Sequence, residues 1–385
     1  TALKTPLIEY TDGDDALTIA DGGAVTTAAN LSVGGDNNEL RFYEDANYVG
    51  FEAPALTADK IWVLPAADGS ASDVLQTNGG GTLSWSARSS VADLDDLSDA
   101  KFGGANFTNS LLIGHTTTGS LNAADGNVGV GVGALDAITQ GDNNVAVGYG
   151  ALTTNTTGAQ NAAVGMGALK LNVGGSDNSA FGFGALDANT SASYNSAFGS
   201  NALGANTTGA NNTAVGMGAL LLNETGTNNS AFGLGSLVNN VSASGNSAFG
   251  KDALNDNTGA GNTAVGYYAA DNNTTGTYNV AIGYEALNAN TTAGGNIAIG
   301  YQALNDANRT EDANAFNVAI GHLAGNTGVN DISTGDQNVL IGYNTAASVN
   351  TASNQIVIGA GASGTANNAI SLGNTSISSI KGQVA

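Results

Sequence analysis

The chain has 385 residues, of which 56 are glycine, only 3 are proline and none is cysteine. Glycine without a three-residue period excludes collagen, and hydrophobic residues at 42%, recurring in register, exclude a disordered low-complexity tract. Nine Lys and Arg against 32 Asp and Glu give a net charge of −23, with the cations scattered from Lys4 to Lys381, so the basic clusters that displace counterions from nucleic acid are missing.

Without cysteine there is no disulfide framework, thiolate zinc site or cysteine nucleophile. No apolar run approaches the length of a membrane span, and membrane insertion is not expected.

Residues 1–87 read as short strands broken by turns: LIEYTDGDDALTIADGG, NELRFYEDANYVGFEA, KIWVLPAADGS and DVLQTNGGGTLSWSA, an expected β-rich attachment or shaft region. DGDD at 12–15 lacks the spaced ligands and closing Glu of a calcium loop and reads as a solvated turn. Residues 88–106 form an acidic linker in which VADLDDLSDA is compatible with a short helix.

From residue 107 to 373 one phrase recurs, as NVAVG, NSAFG, NTAVG, NVAIG and NIAIG. Its last glycine recurs as an anchor from Gly114 to Gly373, sixteen times, mostly at steps of 17 residues. Helical-hairpin repeats and propeller blades need roughly 33 residues or more, and the Gly, Asn and Thr in each repeat are poor helix formers. The expected fold is therefore all-β: a parallel β-roll or solenoid of about sixteen 17-residue coils, each with two short strands and two turns. At about 4.8 Å per coil it extends roughly 75 Å.

Alternation separates two faces. Two residues before the anchor, Ala runs unbroken from Ala146 to Ala319, which with the anchor Gly suits the inside of a thin flattened roll. One residue before the anchor stand Val147, Val164, Phe181, Phe198, Val215, Phe232, Phe249, Val265, Ile282, Ile299, Ile320 and Ile341. A thin roll has one interior, so this second row calls for cover by other subunits. A homotrimer zipped along the row is expected, although the pattern alone also permits a dimer. Asn four residues before the anchor, from Asn127 to Asn338, reads as an internal amide ladder rather than a ligand array. Tyr149, Met166, Phe183, Met217, Tyr267, Tyr284, Tyr301 and Tyr343 follow the anchor. Such a stripe can stack on sugars, but its parity with the apolar row places it at the rim of the interface.

No catalytic constellation emerges. Glu224, Glu285 and Asp252 occupy different repeat positions and form no periodic acid pair, and His115 and His322 lie in distant coils. Neither cofactor nor metal is expected, and an enzyme is not the expected class. Two 21-residue steps insert NDANRTEDANAFN (305–317) and NTGVNDISTGDQN (326–338). Arg309, Glu311, Asp312 and Asp331 in these loops are the candidate receptor-binding residues, with solvated insertion as the plainer alternative.

The order Asn, small, Ala, aliphatic, Gly in NTAVG, NSAFG and NIAIG resembles the head repeats of trimeric autotransporter adhesins, which implies a left-handed parallel β-roll trimer. NALGANTTGANN and EALNANTTAGGN are similar to the variant in bacteriophage and other viral fibres and in bacterial surface proteins. Residues 40–86 resemble a β-rich module of phage tail fibres. The ending SLGNTSISSIKGQVA at 371–385 resembles the segment before the intramolecular chaperone of endosialidase-type tail spikes, which makes 374–385 a tail at an expected cleavage end. The resemblance implies a structural tail fibre or spike in a virion, a homotrimer joined to other tail proteins, attaching to a host surface glycan or protein receptor. A bacterial surface adhesin is the alternative, and a polysaccharide-degrading spike is disfavoured by the missing acid pairs.

Overall fold

The computed structural model describes residues 39–44, 47–52, 65–71, 73–78, 82–86, 100–102, 110–113, 123–307, 315–328 and 330–377. The chain divides into two units, Thr1–Ser90 and Val91–Ala385. In the first, Glu39–Glu44 pairs antiparallel with Asn47–Glu52, and Val74–Thr77 with Leu83–Ser86. Trp85 Nε1 donates to the Ala67 carbonyl at 2.9 Å. The DGDD turn and most of the expected linker lie outside the described residues. Within the linker, Ala100–Phe102 is a strand that pairs antiparallel with Leu111–Ile113, at the start of the second unit.

The second unit is an all-β parallel solenoid. Three-residue strands run from Leu111–Ile113 to Ile370–Leu372, sixteen in all, and each pairs in register with the strand of the next coil. Ile370–Leu372 pairs with Ile356–Ile358 alone among the described strands, so the sheet is an open stack. No helix occurs among the described residues.

Each coil holds one strand, not the expected two. Beyond the anchor glycine, three backbone positions turn left-handed in most repeats: in the coil after Gly148 these are Gly150 at φ 66°, Leu152 at 51° and Gln160 at 59°. Residues at positive φ cannot continue a strand. Hydrogen bonding between coils nevertheless persists through the bends, as Leu152 N–H donates to the Ala168 carbonyl at 3.0 Å and Thr156 N–H to the Val173 carbonyl at 3.0 Å. Stacking thus satisfies a backbone that is only partly extended.

The alanine row points inward, with Ala146, Ala180, Ala214 and Ala281 fully buried. The anchor glycine does not join it. At φ 137° Gly165 sits at a corner, and a Cβ there would lie 2.4 Å from the Gly182 carbonyl oxygen of the next coil. The interior is also less thin than an Ala and Gly face requires. Three and four residues after nine of the sixteen anchors come an Ala and a Leu, among them Ala151 and Leu152, Ala168 and Leu169, Ala185 and Leu186, all fully buried. Each buried Leu contributes about 1.5–3 kcal/mol, which outweighs or offsets the 1–2 kcal/mol cost of a left-handed residue. At the first coil Leu112 takes the alanine position, and glycine follows at 129, where a Cβ would lie 2.5 Å from Leu112 Cδ2. Large is met by small in the adjacent layer.

Two asparagine ladders complete the interior. In the first, the Asn144 and Asn161 backbone N–H groups donate to Asn127 Oδ1 and Asn144 Oδ1 at 2.9 and 3.0 Å, and each Nδ2 bonds a carbonyl across the coil. Ser110 and Gln355 extend this ladder at its two ends, since Asn127 N–H donates to Ser110 Oγ at 2.8 Å and Gln355 N–H to Asn338 Oδ1 at 3.1 Å. The second runs from Asn155 to Asn290, seven residues after the anchors, with Asn172 Nδ2 donating to Asn155 Oδ1 at 2.8 Å. Ala307 takes the next position, and Asn290 Oδ1 is left without a partner.

Candidate interaction surface

The row before the anchors faces outward. In the strand Ser179–Phe181 the central Ala180 is buried while Phe181 is 38% exposed; Phe232 and Phe249 are 37% and 41% exposed. Val147, Phe198, Val265, Ile282 and Ile320 are exposed too, whereas Val164, Val215, Ile299 and Ile341 are half-buried. Phe181 stacks on Phe198 with centroids 5.0 Å apart, and Phe232 on Phe249 at 4.8 Å. In-register pairing of the coils sets this spacing, which gives one chain a continuous apolar stripe.

The row after the anchors divides into two stretches. Towards the C-terminus Tyr267, Tyr284, Tyr301, His322 and Tyr343 form a ladder with successive centroids 5.5, 5.3, 4.8 and 5.4 Å apart. Lys251 caps it, its Nζ 5.0 Å from the Tyr267 centroid and 2.7 Å from Asp252 Oδ2; the hydrogen bond to Asp252 holds the ammonium above its usual range. Within such a stack each inner ring lies against the faces of its two neighbours. The stripe therefore cannot offer successive ring faces to a sugar chain.

Towards the N-terminus the same row is Tyr149, Met166 and Phe183, exposed by 65%, 50% and 53%. Met166 separates the two rings. The residues next in sequence are Gly150, Gly167 and Gly184, and beyond them Lys170 and Asp187 stand on adjacent coils; together these eight residues line a cleft of about 210 Å³. At Gly167 the cleft is open: a Cβ there would meet nothing within 4 Å. Farther along, Asn201, Asp252, Tyr268, Glu285 and Gln302 occupy the equivalent place, all at positive φ. Burial raises the Asp187 carboxyl above its usual range, against the lowering influence of the Ala188 backbone and Lys170. The phrases VGMGAL and FGFGAL display the glycine row, but its depth and the nearness of Lys170 and Asp187 appear only once the turn is folded.

Of the candidate receptor-binding residues, Arg309, Glu311 and Asp312 lie outside the described residues, as does His115. Asp331 shapes its own loop, its Oδ1 accepting the Thr327 and Gly328 N–H groups, the latter at 2.8 Å. Ile332 beside it is fully buried. Asp331 thereby ties the backbone of its loop at this point. Asp252, Asp256 and Asp271 gather on neighbouring coils, and burial followed by repulsion from Asp256 and Asp252 pushes the Asp271 carboxyl up to about 6. No group of three or more His, Cys, Asp or Glu suited to a metal ion occurs among the described residues, and no helix among them is long and apolar enough to cross a membrane. No protein-family model, curated protein or solved structure matches the chain.

Proposed function

We propose that this chain is a structural protein of a bacteriophage tail fibre or spike, a homotrimeric element that holds a host-attachment surface away from the particle. The observation that carries the reading is the outward apolar row: a single coil stack leaves Phe181, Phe198, Phe232 and Phe249 about 37–42% exposed in one line. Covering such side chains is worth up to roughly 1.5–3 kcal/mol each, a drive for association that repeats at every coil. The solenoid suits a spacer, since its length scales with coil number and each coil contacts only its neighbours. The resemblance of NSAFG and NTAVG to fibre and adhesin repeats supports the same class, with other tail proteins and a host glycan or protein receptor as partners.

Sedimentation velocity of the full chain and of a Phe232→Ser/Phe249→Ser variant tests the association. Wild type is expected to sediment as three chains and the variant as a lighter species with the same circular dichroism. A monomeric wild type, or a variant that stays trimeric, would refute the assignment of this row to the interface. Immuno-electron microscopy that finds the chain on a bacterial envelope instead of a virion would refute the phage assignment.

A further inference from the structure

We propose that the cleft between Tyr149, Met166 and Phe183 on one side and Lys170 and Asp187 on the other binds a neutral hexopyranose unit of a glycan. As the adhesive element of a fibre it rests on the reading above, but as a binding site it stands on its own geometry.

A pyranose ring has C–H faces and a rim of hydroxyls, so its site needs an apolar wall with a donor and an acceptor at the edge. The cleft has this division. Its wall is one aliphatic and two aromatic side chains, and its polar groups are an ammonium and a carboxylate presented from adjacent coils. Neighbouring hydroxyls can accept from Lys170 and donate to Asp187, whereas two opposite charges side by side give no net attraction for an ionic sugar. About 210 Å³ is smaller than the usual 300–1,000 Å³ of drug-sized sites and fits a single ring, not an oligosaccharide enclosed on all sides.

Elsewhere on this surface the adjacent Lys and Asp are not repeated: beside Met217, Leu234 and the open Gly218 the equivalent positions are Leu221 and Val238. From Tyr267 to Tyr343 the rings cover one another's faces. On the coil after Gly184 the equivalent position is filled by Asn201, its Oδ1 lying 2.5 Å from the place a Cβ on Gly184 would occupy. The repeat therefore contains both an open and a filled version of one position. Gly167 has φ 70° and Asn201 φ 54°, so asparagine at 167 adopts a conformation the fold already uses, and it fills the cleft without disturbing the coil.

The test uses the full chain, immobilised glycans, and saturation-transfer NMR with the methyl glycosides of glucose, galactose and N-acetylglucosamine. Wild type is expected to bind at least one neutral glycan, with transfer to its ring C–H protons. Gly167→Asn is expected to weaken binding by about tenfold or more, and Lys170→Met and Asp187→Asn likewise, all with unchanged circular dichroism and sedimentation. Absence of glycan binding by wild type, or equal binding by Gly167→Asn, would overturn the proposal. So would transfer to a phenylalanine-containing peptide in place of the glycosides, which would assign the cleft to a protein partner. A monomer that binds through the cleft supports the site while refuting the trimeric fibre; a trimer that binds no neutral glycan does the reverse.

Discussion

Replacement of Asn195 by alanine tests whether the asparagine ladder stabilises the roll. Asn195 is fully buried, its Oδ1 accepts the Asn212 backbone N–H at 3.0 Å, and its Nδ2 donates to the Gly209 carbonyl at 2.9 Å. Alanine leaves the Asn212 N–H without this partner, at about 1–3 kcal/mol for a buried unsatisfied donor. The Gly209 carbonyl retains Asn206 Nδ2 at 2.9 Å, so losing the second bond costs only its net value of about 1 kcal/mol. The expected loss is about 2–4 kcal/mol, concentrated at one coil interface because a solenoid's stability is a sum over neighbours. Amide exchange at Asn212 reads it directly, and should accelerate roughly 30- to 700-fold, at 1.4 kcal/mol per factor of ten. Asn195→Ser should recover part of the loss, since Ser110 makes the equivalent bond to Asn127 N–H at 2.8 Å. Exchange within threefold of wild type in Asn195→Ala would refute the energetic role of the ladder.

Three further outcomes are expected. Gly165→Ala, at φ 137° with its Cβ 2.4 Å from the Gly182 carbonyl oxygen, should destabilise by more than about 3 kcal/mol, while Gly167→Asn should stay within about 0.5 kcal/mol in denaturant unfolding. Asp271, pushed up to about 6 by burial, binds its proton more tightly folded than unfolded, so its contribution is most favourable below about 4 and is lost as pH rises through 6. Asp271→Asn should then raise the melting temperature at pH 7.5 relative to wild type, with the gain vanishing near pH 4; an equal gain at both pH values would count against this origin. Tyr284→Ala interrupts rings stacked at 5.5 and 5.3 Å and should cost about 1–2 kcal/mol with a reduced near-ultraviolet dichroic signal, and an unchanged signal would show that the ladder is not ordered in solution.

The stacking of coils could be read from the residues alone because a repeat turns a three-dimensional question into a one-dimensional one. Once the period is 17, Ala163 must lie beside Ala180 and Asn161 beside Asn178, and alternation across Ala180 and Phe181 separates inside from outside. A buried Asn must be paired, and its stacked copy in the adjacent coil is the nearest partner. What the pattern could not supply was the path of the backbone between strands. Leucine at φ near 50° contradicts its local preference, and only burial with its copies in adjacent coils makes that conformation favourable. The turn it creates moves the anchor glycine from the inner face to a corner, reduces two strands to one, and brings a second asparagine ladder into the core. The same turn sets Lys170 and Asp187 beside Met166, across a gap that glycine keeps open. Periodicity specifies which residues meet their copies, because translation along the stack is common to all coils; the contacts within a coil depend on how each corner bends, and that is decided by tertiary packing.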